Sequence, residues 1–183
     1  MRYLPMLVVI VFVFVLAFTV AAAAAAEPFA PRPVDPPAAQ ALSRAMRQSA
    51  TVRDLVAMLE SSNVIVHIET SWNMPAGIAG LTRFVTSRGG YRYVRITLSS
   101  GLAGNARTAI LGHELQHACE VAASSADDAD SIRQLFESEG HRQGRYFETR
   151  AALAAEKSAR RELRTAAAAV RSLQTEPVTK FDH

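Results

Sequence analysis

A pair of histidines four residues apart is the part of the sequence best suited to chemistry. His113 and His117 bracket Glu114 in the sequence H-E-L-Q-H. On a helix, residues four apart share one face with Cβ atoms roughly 5–6 Å apart, so both imidazoles can reach one ion at about 2.0–2.1 Å. Glu114 then lies beside that ion, where a carboxylate can take a proton from a water molecule. The spacing predicts two zinc ligands and a general base.

The residues around this motif predict a mostly apolar helix. Residues 101–104 are typical of a loop, Asn105 is the expected N-cap, and the helix is expected to end near Ser124. Polar side chains on such a buried helix need partners, and a metal ion would supply one. The alternative is an ordinary core helix whose histidines form hydrogen bonds within the protein.

A third ligand is needed, because a catalytic zinc normally has three protein ligands and one open position. The metzincin extension fails, since Glu120 and Ala123 stand where its glycine and third histidine should be. We expect Glu148 to be the ligand, early in a helix whose small neighbours allow close approach to the H-E-x-x-H helix. The candidates are Glu120, Glu137, Glu139, His141 and Glu148.

The H-E-x-x-H motif, followed by Glu148 31 residues after His117, resembles the gluzincins, the thermolysin-like zinc metallopeptidases. The resemblance implies a zincin-like minimal domain, a zinc cofactor and hydrolysis of peptide bonds. The chain is also similar to small exported bacterial proteins with an H-E-L-Q-H helix. It departs from thermolysin in lacking a Ser-Asp pair after Glu148 and a large second domain.

Three further residues are candidates for supporting roles. Glu120 lies on the same helix face as His113 and His117, and we expect it to orient a histidine from behind rather than bind zinc or remain a surface charge. His141 and Tyr146 are candidate catalytic residues that would stabilise an oxyanion. For Glu148 the alternative is an exposed ion pair with a nearby arginine.

The ends of the chain predict export. Residues 1–26 have the pattern of a signal peptide or an N-terminal membrane anchor, because residues 3–26 are apolar and end in an alanine tract. Residues 27–39 contain five prolines and predict an extended linker. The metallopeptidase domain is expected over residues 40–175 and a flexible tail over 176–183. These features predict a periplasmic or secreted protein, which an uncleaved N-terminal segment would anchor in the membrane.

The charge and cysteine content of the chain restrict the partners and bonds that it can form. Removing Arg2 from the 20 basic residues leaves 19 against 17 acidic ones, which is not the charge excess of a nucleic-acid-binding protein. Cys119 is the only cysteine, so no intrachain disulfide is possible, and we expect it to be buried and to point away from the zinc. Glu156 and Glu162 are expected on a solvated, salt-bridged helix face. His67 is expected to be structural.

The pattern of elements predicts an α+β fold, with a small antiparallel sheet packed against the helical zinc site. Residues 64–70 alternate as a strand, and residues 81–87 and 91–99 flank the turn signal Arg88-Gly89-Gly90. The strand 91–99, as a sheet edge beside the cleft, would align an extended peptide substrate. Helices are expected over residues 38–48, from a Thr51–Asp54 capping box to about residue 60, after Asp127-Asp128, and over residues 145–173.

Two other functions compete with a metallopeptidase. The first is an exported zinc protein without catalysis, in which the metal only holds helices together. The second is a helical envelope interaction protein in which the H-E-x-x-H spacing is accidental. Replacing Glu114 distinguishes a metallopeptidase from the first alternative, a zinc protein without catalysis. Measuring bound zinc distinguishes it from the second, a protein that binds no zinc.

Overall fold

The computed structural model describes residues 31–143 and 146–175. This part of the chain forms five helices, a four-stranded sheet and a two-stranded sheet. The elements are β1 Arg32–Pro33, α1 Pro36–Gln48, α2 Ala50–Glu60, β2 Val64–Ser71, β3 Gly80–Arg88, β4 Tyr91–Ser99, α3 Gly104–Ala123, α4 Ala129–Glu139, β5 Gly140–Gln143, β6 Tyr146–Thr149 and α5 Arg150–Thr175. The predicted signal or anchor segment, the predicted tail and residue 145 lie outside the described residues.

The main sheet is mixed, with the order β1-β2-β4-β3. β1 is parallel to β2 and β2 is parallel to β4, whereas β3 and β4 are antiparallel. The α+β class is confirmed, but the expectation of an antiparallel main sheet is wrong. The reason is that the chain passes from β2 to the far edge before the hairpin returns β4 beside β2.

The β3–β4 hairpin is confirmed, and its turn explains the register. Gly89 and Gly90 have φ angles of +61° and +81°, the left-handed pair that a two-residue hairpin turn requires. The pairing continues along both strands with one irregularity between Phe84 and Thr86. The strand predicted over residues 64–70 is also confirmed, as β2.

The position of β4 corrects one expectation about substrate binding. Tyr91–Ser99 lies between β2 and β3 and is central in the sheet, so it offers no free edge to a peptide. The edge strands of this sheet are β1 and Gly80–Arg88, the other arm of the hairpin. Of these two, only β3 contributes residues to the cavity described below, so β3 is the better candidate for pairing with a peptide.

One face of the sheet packs against the helices and forms the core. The inward residues of the two central strands are buried apolar side chains that pack against α1 and α3 and share one core cluster with α2: Val64, Val66, Ile68, Val94, Ile96 and Leu98. The opposite face carries polar residues such as His67 and Arg95, consistent with a sheet covered on one side. His67 is partly buried and stacks on Tyr93 with ring centroids 6.5 Å apart.

The folded domain begins earlier than the sequence predicts. Arg32 and Pro33 pair with β2, and the main-chain N–H of Val34 donates to Ile68. Asp35 caps α1 by accepting from the N–H of Ala38 at 2.7 Å. Residues 32–39 are therefore part of the fold and not of a linker.

Two helix starts also differ from the expected ones. Ser49, not Thr51, caps α2, because its hydroxyl accepts from the N–H of Val52 at 3.2 Å. α3 begins at Gly104, before the expected cap Asn105, and has no side-chain N-cap. The expected start of α4 is confirmed, since Asp128 forms a capping box with Ser131.

Cys119 is buried, as predicted. Its thiol lies 3.5 Å from the carbonyl oxygen of Leu55, and burial together with the neighbouring Glu120 raises its pKa to about 12.

Within residues 31–143 and 146–175, none of the helices has the length and hydrophobicity needed to cross a bilayer.

Candidate metal centre

α3 carries the H-E-x-x-H motif through the interior of the domain. His113, Glu114 and His117 are all buried, and α3 contacts α5, α2 and the sheet. The imidazole rings of His113 and His117 have centroids 4.9 Å apart and are inclined by 75°. The helix therefore brings both rings to the same side, as the four-residue spacing predicts.

Glu148 joins the two histidines from the β5–β6 hairpin. Suitable ligand atoms of His113, His117 and Glu148 all lie within 4.8 Å of one another. Glu148 lies on strand β6 and not in a helix, so the expected element is wrong although the expected residue is present. α5 starts after it because Thr149 accepts from the N–H of Ala152 at 3.1 Å, as an N-cap residue does.

The geometry of the cluster fits a shared cation. Glu148 Oε2 lies 3.0 Å from His113 Nε2, yet this buried oxygen has no hydrogen-bond partner. Two ligands bound tetrahedrally at about 2.0–2.1 Å are roughly 3.3 Å apart, close to this separation. Two histidines and one glutamate are also a donor set typical of catalytic zinc. The cluster is therefore a candidate metal site whose donor set would suit zinc.

Glu120 supports His117 from behind. Glu120 Oε2 lies 2.9 Å from His117 Nδ1, and Glu120 Oε1 accepts from the hydroxyl of Thr149 at 2.5 Å. The contact at Nδ1 leaves Nε2 of His117 for a ligand bond and fixes the plane of the ring. The same threonine that caps α5 thus also holds the carboxylate behind the histidine.

Glu156 has the corresponding position behind His113. Its Oε2 lies 3.3 Å from His113 Nδ1, and its other oxygen accepts from Arg160 at 2.8 Å. The expected solvated face of α5 is wrong for this residue, which is about four-fifths buried. It is also wrong for Glu162, which accepts from the hydroxyls of Ser49 and Thr51 at the start of α2.

Glu114 is held against the edge strand β3. The hydroxyl of Thr82 donates to Glu114 Oε2 at 2.7 Å and lies 3.1 Å from the Glu114 carbonyl oxygen. Gly80 leaves room for the carboxylate, because a Cβ at this position would lie 2.5 Å from Glu114 Oε1. β3 therefore sets the position of the candidate base, and neither Gly80 nor Thr82 has a local sequence signal for this role.

The site alters the proton affinities of its members. Burial raises the pKa of Glu114 against the opposing effects of both histidines and of the Thr82 hydrogen bond. Burial disfavours the charged form of His113, but Glu148, Glu114 and Glu156 outweigh it and raise the pKa of the imidazole. Contact with His113 lowers the pKa of Glu148 despite its partial burial. The carboxylates around His113 thus favour a positive charge at this point.

A cavity of about 370 Å³ opens beside these residues. Its wall is largely apolar, with contributions from Phe84 of β3 and Ile132 and Phe136 of α4. The ring of Phe136 lies edge-on to His117, with centroids 5.3 Å apart. Candidate ligand atoms at the wall of an open cavity are compatible with a site that admits a substrate.

The two candidate oxyanion residues have different positions. Tyr146 lies on β6, is partly buried and lines the cavity. His141 lies on strand β5, not in the expected loop, and its exposed side chain is opposite Glu148 in the hairpin register. His141 is not among the residues that line the described cavity.

Comparison with known proteins found no match: no family model fits the sequence, and no curated protein or solved structure is significantly similar. The interpretation of the centre therefore rests on its geometry.

Proposed function

We propose that the protein is an exported, zinc-dependent metallopeptidase with a zincin-like minimal domain of the gluzincin type. The observation that carries this proposal is the convergence of His113, His117 and Glu148 at the wall of a cavity. The unpartnered, buried oxygen of Glu148 supports a metal ion at this point. Export is inferred from the pattern of residues 1–26.

The residues of the chain have distinct roles in the proposed reaction. When bound, zinc supplies Lewis acidity toward water and toward the carbonyl oxygen of a peptide. Glu114 removes a proton from the attacking water and returns it to the leaving amine. Its raised pKa suits this exchange, because a base with proton affinity closer to the working pH both accepts and donates readily.

Substrate alignment is assigned to β3. In the described part of the chain this strand pairs with β4 on one side only, and its residues 80–84 line the cavity. An extended peptide can pair with such an edge through main-chain hydrogen bonds. Thr82 would then link the peptide-binding strand directly to the base Glu114.

Stabilisation of the oxyanion is assigned to Tyr146, with His141 as a second candidate. A phenolic hydroxyl at the cavity wall can donate to a developing negative charge. His141 is exposed and opposite Glu148 across the hairpin, so its contribution requires movement toward the cavity. Substituting each residue separately distinguishes their effects on kcat.

A zinc site without catalysis is the second candidate function. Its support is the packing around the candidate ligands, since Glu120 contacts Nδ1 of His117 at 2.9 Å and Glu156 lies 3.3 Å from Nδ1 of His113, without a hydrogen bond. The cavity argues against it, because structural zinc sites are normally closed by four protein ligands. Only three candidate ligands converge among the described residues.

Glu114→Gln tests the proposal directly. The variant should bind zinc as the wild type does, because Glu114 is not a ligand, and should lose peptide hydrolysis by at least about 100-fold. The measurements are metal analysis of the purified protein and cleavage of a mixed peptide library followed by mass spectrometry. Glu139→Gln, at an exposed position of α4, is the matched control and should retain activity.

The outcomes separate the three functions. Bound zinc with no hydrolysis of any peptide by the wild type would favour the structural site. Absence of zinc from a protein refolded with excess metal would favour the envelope interaction protein. Loss of both zinc and activity in His113→Ala and Glu148→Ala, with activity alone lost in Glu114→Gln, is the result that we expect.

A further inference from the structure

The face of the main sheet opposite the helices carries a straight row of basic side chains. The register pairs Arg32 with His67, His67 with Arg95, and Arg95 with Arg83. Paired residues of neighbouring strands point to the same face, so one basic residue from each strand lies in the row. With strands about 4.8 Å apart, the row is roughly 14 Å long.

The charge of this face is strongly one-sided. The four strands contain five arginines and a single acidic residue, Glu69. Arg32, Arg83 and Arg95 are exposed, and Arg95 has only a distant ion pair with Glu69 at 3.8 Å. Arg88 is also exposed but lies at the turn end of β3, opposite Tyr91 and outside the row. The fifth arginine, Arg92, is buried on the other face and donates to carbonyl groups at the end of α3. Three outward arginines therefore remain in the row.

The row is unfavourable for the sheet itself. Like charges directly opposite on neighbouring strands destabilise a sheet, and Arg83 is opposite Arg95. Partial burial and the nearby Arg32 and Arg95 lower the pKa of His67, which disfavours a further positive charge in the row. The arrangement becomes favourable when anionic groups lie over the face.

We propose that this face, defined by Arg32, His67, Arg95 and Arg83, binds the phosphate groups of an anionic membrane surface. A sheet face that projects a line of guanidinium groups suits a planar array of phosphates, because each guanidinium can donate two hydrogen bonds to one phosphate. This inference concerns the face away from the helices and does not depend on the metal centre.

The position of the row along the chain favours a membrane over a soluble polyanion. The apolar segment 3–26 ends six residues before Arg32 in the sequence. Six residues span at most about 20 Å, so Arg32 stays near any bilayer that holds this segment. Attraction between arginines and anionic lipids acts over about a Debye length, roughly 8–10 Å. A connection of at most about 20 Å allows the face to come within this range of the bilayer.

The test compares the partition of the full-length chain between two kinds of vesicle. One kind is phosphatidylcholine alone, and the other contains about 30% phosphatidylglycerol. The apolar segment contributes to both partition coefficients, so their ratio isolates the electrostatic contribution. Arg32→Ser/Arg95→Ser should reduce this ratio roughly 30-fold, because each arginine contributes about a fivefold effect and the two effects multiply. Arg83 is left unchanged because it also lines the cavity.

Two control variants make the result specific. Arg161→Ser/Arg164→Ser removes the same charge from exposed positions of α5 and should keep the wild-type ratio. Arg32→Lys/Arg95→Lys should retain most of it. A wild-type ratio in Arg32→Ser/Arg95→Ser, or an equal loss in the α5 variant, would overturn the proposal. Tighter binding of the wild type to soluble polyphosphate than to anionic vesicles, at equal phosphate, would overturn the membrane assignment.

Discussion

Gly80 offers a test of Glu114 that leaves every metal ligand unchanged. A methyl group at Gly80 would lie 2.5 Å from Glu114 Oε1, 2.7 Å from Ile110 Cγ2 and 2.8 Å from Glu114 Cγ. Non-bonded carbon and oxygen atoms normally remain about 3.5 Å apart, so Gly80→Ala must displace the carboxylate by about 1 Å. Overpacking of this size costs about 1–3 kcal/mol in stability.

The expected effect on catalysis is larger than the effect on stability. A displacement of 1 Å in a reacting group can reduce the rate about 100-fold, equivalent to roughly 2.7 kcal/mol in the activation barrier. We therefore expect Gly80→Ala to bind zinc normally and to show a kcat about 100-fold below the wild type. Peptide cleavage, metal analysis and thermal unfolding measure the three quantities.

Gly101→Ala is the matched control for this substitution. A Cβ at Gly101 would lie 3.6 Å from Ser99 Oγ, an ordinary contact, so activity should stay within about twofold of the wild type. The reasoning is refuted if Gly80→Ala retains wild-type kcat with zinc bound, because the base would then not depend on β3. Loss of zinc from Gly80→Ala would also contradict it.

The remaining predictions concern single groups of the same domain. Thr82→Val should lower kcat about tenfold through loss of the hydrogen bond to Glu114, and Thr82→Ser should restore it, as measured by peptide cleavage. On acidification, zinc affinity should begin to fall while the pH is still above 6.5, because the raised pKa of His113 lets a proton compete with the metal. Titration calorimetry at several pH values measures this affinity. In the zinc-free protein the same raised pKa stabilises the fold below pH 6.5, and this contribution is lost as pH rises through the folded-state pKa, which thermal unfolding would detect. Cys119 should not react with a thiol reagent at pH 8 until the protein is unfolded, because its pKa is about 12.

Local sequence rules account for the parts of the site that lie within one element. The four-residue spacing of His113 and His117 places both rings on one helix face, and Glu120 follows by the same periodicity. The β3–β4 hairpin is similarly local, since Gly89 and Gly90 determine the turn. These features depend on residues that are close in the chain, and sequence patterns describe such interactions well.

The contacts between distant elements had no comparable signal. Gly80 and Thr82 meet Glu114, and Glu156 meets His113, only because strand order and helix packing bring them together. Its spacing in the sequence makes Glu148 a candidate ligand, but the helix predicted around it is wrong, because Glu148 lies on β6. A signal for the correct start of α5 was present, because Thr149 is a good N-cap residue and ends the strand before it.

The basic row on the outer face illustrates the same limit. Each of its members comes from a different strand, and the total charge of the chain is nearly balanced. Composition therefore excludes a strongly basic protein but is insensitive to a basic face. Only the order and register of the four strands, two of whose pairings are parallel and non-local, align Arg32, Arg95 and Arg83.

The charge of the candidate metal centre is the physical reason for proposing a cation there. Glu114, Glu120, Glu148 and Glu156 surround two imidazoles in the interior, and buried carboxylates are costly unless positive charge or hydrogen bonds compensate them. Thr82, Thr149 and Arg160 compensate three of the four, whereas Glu148 Oε2 has no hydrogen bond. Without metal, Glu148, Glu114 and Glu156 outweigh the burial of His113 and raise its pKa, which favours proton binding there. Zinc at the same point would compete with that proton, so zinc uptake would be coupled to proton release.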